Sequence, residues 1–93
     1  MTHKELQQRL KENPDVFLVD IREAAELDEQ GMIEGANHIP MGRMFIKAAH
    51  DELPKDSKII VYCASGTRAG VVATELSGKG YEITHVSEPL PSE

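Results

Sequence analysis

Lys58-Ile59-Ile60-Val61-Tyr62-Cys63-Ala64-Ser65-Gly66-Thr67-Arg68-Ala69-Gly70-Val71-Val72-Ala73 is the stretch whose reading decides the fold. It opens with a short apolar run rich in β-branched residues, the pattern of a strand buried on both faces. It closes with small and aliphatic residues continuing through Thr74, Glu75 and Leu76, which predicts a helix to about residue 77. Between them a tight turn starts with Cys63, the only cysteine of the chain. Strand, glycine-containing loop and helix start, in that order, are how an α/β fold presents a reactive atom at the carboxyl edge of its sheet.

The surrounding pattern supplies the scaffold for such a loop. Thr2-His3-Lys4-Glu5 has the capping-box pattern, with Leu6 and Leu10 following on one face. A first helix over residues 3–12 is therefore predicted, ended by Asn13-Pro14 because the residue before proline avoids helical angles. Residues 16–21 form a second apolar run, hence a buried parallel strand, with Asp20 near its carboxyl end. Residues 23–30 read as a short acidic helix closed by Gly31, and residues 31–40 as a connector with at most a short strand near His38-Ile39. A helix over residues 41–50 would bury Met44, Phe45 and Ala48. Pro54-Lys55-Asp56-Ser57 is a turn, Gly78-Lys79-Gly80 a helix stop, and residues 81–86 a last strand. Strands alternating with helices imply an α/β fold: an open parallel sheet of about four strands with helices on both faces. The whole chain, residues 1–93, reads as a single domain with its core over about 3–87, and residues 88–93 as a flexible tail.

Composition narrows the function classes. The net charge of −6, spread along the chain, argues against nucleic acid and anionic membrane as partners. One cysteine excludes an internal disulfide and any cysteine-cluster metal site, and fits a reducing compartment. No apolar leader and no run of membrane-spanning length is present, so a cytoplasmic protein is expected. His3, His38, His50 and His85 share no metal-ligand spacing, and no metal is expected.

A lone cysteine after an apolar strand is ordinarily a small buried hydrophobe. The residues after Cys63 point elsewhere. A helix amino end and the nearby Arg68 both favour an anion at the sulfur. Gly66 permits the sharp turn that lets successive amides point inward as an anion-binding nest, and Ser65 and Thr67 add hydroxyls.

Three segments together resemble the single-domain rhodaneses, a family of sulfurtransferases. Leu18-Val19-Asp20-Ile21-Arg22-Glu23 resembles the family's apolar strand running into Asp-x-Arg. Gly31-Met32-Ile33-Glu34-Gly35-Ala36-Asn37-His38-Ile39-Pro40 resembles its Gly-His-Ile-x-Gly-Ala-x-x-Ile-Pro segment, with Met32 in the usual histidine place. Val61-Tyr62-Cys63-Ala64-Ser65-Gly66-Thr67-Arg68-Ala69 resembles its active-site loop. The resemblance implies a double displacement. The Cys63 thiolate takes a sulfane sulfur from a thiosulfate-like or persulfide donor, and a thiophile then removes it: cyanide in an assay, a thiol in the cell. It implies Ala64, Ser65, Gly66, Thr67 and Arg68 as the cradle of the persulfide, a supporting role for Asp20, and no cofactor. Asp20 is expected either to bond the loop amides or to serve as a turn-stabilising carboxylate. Arg22 is expected either to attract an anionic substrate or, more simply, to pair with Glu26 four residues on. Arg43 is expected to be solvated.

Two rivals share the nucleophile. A non-catalytic interaction module of the same fold would have no use for the cysteine, which is present. Cysteine phosphatases and arsenate reductases of this kind use a loop one residue longer than the four between Cys63 and Arg68. Departures from the family pattern are Ala64 where a basic residue is common, no strand before the first helix, and no closing helix after the last strand. A monomer or weak homo-oligomer is expected, with a partner subunit as one candidate cover for an exposed sheet face.

Overall fold

A computed structural model describes residues 1–91; Ser92 and Glu93, the end of the expected tail, lie outside the described residues. The elements run α1 (His3–Glu12), β1 (Phe17–Asp20), α2 (Ala24–Leu27), β2 (Asn37–His38), α3 (Met41–Ala49), β3 (Ile59–Tyr62), α4 (Thr67–Ser77) and β4 (Ile83–His85). The four strands form one parallel sheet in the order β2-β1-β3-β4. Chain connections leave β1 toward one edge and β3 toward the other. The crevice beyond the carboxyl ends of β1 and β3 is therefore the topological switch point, where open α/β sheets keep their sites.

Strand alternation sorts the core into two halves. Val19, Ile21, Ile59, Val61 and Cys63 face α3 and α4, where they meet Met44, Ala48, Ala69, Val72 and Leu76. Leu18, Ile60 and Tyr62 face the other way, against Leu6 and Leu10 of α1 and Val86. α1 starts as its sequence requires. Thr2 accepts from the Glu5 amide and Glu5 reaches back to the Thr2 amide, so two orphan donors are satisfied.

Four expectations change. α2 is half the predicted length, because Asp28 and Glu29 would set negative charge against the carboxyl end of a longer helix. The second sheet face is covered within the chain by α1, Ile33, Ala36 and Leu90. Residues 87–91 are tied down where a loose tail is predicted. The Leu90 amide donates to the Ala64 carbonyl at 3.0 Å, Gln30 Nε2 donates to the Pro91 carbonyl at 2.7 Å, and the His3 amide donates to Glu88. Finally, Met1 pairs beside β4, where the sequence predicts no strand. Its amine donates to the His85 carbonyl at 2.9 Å and its carbonyl accepts from the Ser87 amide at 2.8 Å, the two bonds of a parallel strand residue beside β4. No helix follows β4 among the described residues.

Candidate active site

Cys63 is the first residue beyond β3, and its side chain is 1 % exposed. The strand delivers the sulfur to the carboxyl edge, and the turn that follows folds back over it. Gly66 makes that turn possible. It caps α4 with φ of +101°, a left-handed conformation that side chains resist, and a Cβ there would stand 2.9 Å from the Ser87 carbonyl carbon. In this conformation the Gly66 amide donates to Cys63 Sγ at 3.1 Å, and the Ala69 amide donates at 3.4 Å. Two main-chain donors at the amino end of a helix thus converge on the sulfur and favour negative charge there.

The predicted cradle of residues 64–68 is partly redistributed. Ala69, which the sequence reading left out, supplies one of the two donors. Its place as the third residue of α4, where the amide has no partner within the helix, is the signal that could include it. The amides of Ala64, Ser65, Thr67 and Arg68 have no acceptor among the described residues. The Ser65 and Thr67 hydroxyls bond each other at 3.4 Å and not the sulfur. Gly66→Ala is expected to lose about 2 kcal/mol or more of stability, from positive φ and the Ser87 clash together. It is also expected to slow any reaction at Cys63, because the Gly66 donor moves. Urea unfolding and the alkylation rate of Cys63 read the two effects separately.

Arg68 is close enough to Cys63 to interact with a thiolate there, and it shares its charge with a carboxylate. Its Nη1 and Nη2 donate to the two carboxylate oxygens of Glu26 at 2.7 and 2.8 Å, a bidentate pair joining α4 to α2 across the switch point. The hydrogen bonds from Arg68, helped by the Glu23 backbone, hold the Glu26 carboxyl down at about 2, and the same pairing with Glu26 raises Arg68. The folded-state value of Glu26 lies below its ordinary one. The pair therefore adds stability above the ordinary value of 4.5, and this is lost as pH falls through about 2. Partial solvent exposure keeps the contribution modest. Between about pH 5 and pH 2 the urea midpoint of the wild type should fall further than that of Glu26→Gln, which has no carboxyl to protonate.

Asp20 and Arg22 form a second, separate pair. Both are buried, at 0 % and 2 % exposure, with Arg22 Nη2 donating to Asp20 Oδ2 at 2.7 Å and Nε donating to both oxygens at 3.1 Å. The Arg22 amide adds a fourth bond to Asp20 at 2.9 Å, and Nη2 also reaches the Gly31 carbonyl at 3.3 Å. Two expectations are corrected here. Arg22 pairs with Asp20, not Glu26, because it precedes α2 and turns back beneath the sheet edge. Asp20 takes the turn-stabilising alternative through the Arg22 amide and does not bond the loop amides, because it is in register with Tyr62 and projects to the α1 face, whereas Cys63 projects to the α3–α4 face. Tyr62 beside it accepts from the Ile33 amide at 2.9 Å, and burial raises its phenol well above the ordinary value. His38 Nε2 lies 2.7 Å from the Arg22 carbonyl, which ties β2 to the same cluster. Arg43 is exposed on the first turn of α3, as expected.

Two cavities, of about 560 and 460 Å³, lie away from the thiol. The larger sits at the amino edge of the sheet near Arg9, Asn13, Lys58 and Glu82, and the smaller beside α4 shares only Thr67 with the loop. Among the described residues no group of three or more His, Cys, Asp or Glu is arranged to hold a metal ion, and no helix is long and apolar enough to cross a membrane.

Comparison with known proteins identifies the family to which this fold belongs. A sulfurtransferase of Allochromatium vinosum is 43% identical over 76 residues, spanning 82% of this chain and 68% of its own. A rhodanese-related protein from Thermoplasma volcanium superposes with a TM-score of 0.80 at 28% identity, over 96% of this chain and 83% of its own. A rhodanese-like domain protein from Staphylococcus aureus does so at 0.80 and 29%, over 96% and 84%. With residues 2–88 matching the rhodanese-like domain as a family, this chain belongs to that family.

Proposed function

We propose that the chain is a sulfurtransferase that carries a sulfane sulfur on Cys63. The thiolate attacks the outer sulfur of a thiosulfate-like or persulfide donor. The Sγ–S bond forms as the donor's S–S bond breaks, and the bonding pair leaves with sulfite or with the donor thiolate. A thiophile, cyanide in vitro or a thiol in the cell, then attacks the outer sulfur and regenerates the Cys63 thiolate.

The observation that carries this reading is the pair of amides on Sγ beside four amides without acceptors. Gly66 and Ala69 hold the attacking thiolate. The amides of Ala64, Ser65, Thr67 and Arg68 are available to the second sulfur once it arrives. Arg68 acts by fixing the loop to α2 through Glu26, and Asp20 with Arg22 supports the crevice from beneath. The cycle needs no metal and no organic cofactor. The sulfurtransferase name of the Allochromatium relative supports the same chemistry. We assign the protein to the cytoplasm, where a single unpaired thiol stays reduced, and regard it as a monomer or weak homo-oligomer.

Mass spectrometry tests the central intermediate. Protein incubated with a sulfur donor should gain about 32 Da on the peptide containing Cys63, and dithiothreitol should remove it. A donor that leaves the mass unchanged while a phosphoryl ester is hydrolysed would assign the nucleophile to phosphate chemistry instead.

A further inference from the structure

We infer that Cys63 takes its sulfur from a persulfide of low charge, R–S–SH on a thiol carrier, in preference to the thiosulfate dianion. The inference rests on the sulfur-transfer reading above and names the donor class of the same site. Thiosulfate brings two negative charges to a sulfur that must itself be anionic to attack, and in a poorly hydrated site such repulsion needs a cation close by. The loop supplies hydrogen-bond donors, and its one cation, Arg68, reaches the sulfur with its charge already balanced by Glu26. Ala64, Ser65, Gly66 and Thr67 are uncharged. Both terminal nitrogens of Arg68 are committed to Glu26 at 2.7 and 2.8 Å. Arg22 is committed to Asp20 and buried with it.

Of the arginines beyond the carboxyl ends of the strands, only Arg43 has no carboxylate partner among the described residues, and it points to solvent from α3. Lys4 and the Met1 ammonium belong to the α1 side of the sheet, opposite the face that carries Cys63. Against these stand Glu23, Asp28 and Glu29, exposed at the same edge and unpaired among the described residues. A net charge of −6 adds long-range repulsion.

A persulfide avoids this repulsion. Its outer sulfur is neutral or singly charged and projects from its carrier, so it alone need enter the loop. The step balances without another reactant: Cys63–S⁻ attacks the terminal sulfur of R–S–SH, the new S–S bond forms, the old one breaks, and R–S⁻ leaves with the bonding pair. The proton stays on the transferred sulfur, and no net oxidation occurs.

The test compares loading rates of Cys63, read as the gain of one sulfur by mass, with thiosulfate and with cysteine hydropersulfide at equal concentration. The persulfide should load at least about tenfold faster, the thiosulfate rate should rise as salt screens the repulsion, and Ala64→Lys should narrow the gap at least about threefold. Thiosulfate loading as fast as the persulfide, at a rate that falls with added salt, would overturn the donor assignment and leave sulfur transfer standing. Loading by neither donor would overturn the sulfurtransferase reading and this inference with it.

Discussion

Asp20→Ala should cost about 3–5 kcal/mol of stability, the penalty for leaving a buried arginine without its carboxylate. Arg22 is 2 % exposed, and four of its hydrogen bonds end on the two oxygens of Asp20. Water cannot replace them without opening the crevice between β1 and the segment holding Gly31. A domain of this size has about 5–15 kcal/mol in total, so the variant approaches the unfolding threshold. At about 4–8 °C per kcal/mol, Tm should fall by at least about 12 °C in a thermal melt. The double variant Asp20→Leu/Arg22→Met should recover most of the loss, because both charges then leave together. A single variant that melts within about 3 °C of wild type would mean that the pair contributes packing only.

Cys63→Ser gives the largest expected effect on activity. Thiocyanate formation from a sulfur donor and cyanide should fall by about 10³-fold or more, since no other residue can form the covalent intermediate. The serine oxygen can still accept from the Gly66 and Ala69 amides, so the loop keeps its conformation and the stability loss stays near 1 kcal/mol. Activity surviving in a folded Cys63→Ser protein would exclude the covalent mechanism. The cyanide assay measures the first, and urea unfolding with circular dichroism the second.

The parts of this molecule that were legible in the sequence are those set by short-range rules. The β3–loop–α4 unit could be read because a strand buried on both faces is an uninterrupted apolar run. The glycine that reverses the chain after it has few substitutes. The first helix could be read because its cap is written in four consecutive residues. What escaped was partner choice over distance. Neighbour rules on a helix surface point Arg22 at Glu26. The fold gives Glu26 to Arg68, forty-two positions away, because β1 and β3 lie side by side and send their following segments across one crevice. Likewise Asp20 and Cys63 both end strands at the same edge, but strand parity puts them on opposite faces. Proline-flanked Leu90 looked loose because no local pattern reveals that a hydrophobic patch beside Tyr62 awaits it.

The one-residue strand made by Met1 bears on how copies of this protein treat one another in solution. The margins of a sheet are where foreign chains add on and fibres begin. One margin here, β2, is two residues long, and the other, β4, is three residues long with its carboxyl end already occupied by Met1. Neither offers a run of open backbone long enough to template a neighbour, so concentrated solutions should resist strand-mediated aggregation while the amino terminus keeps its place.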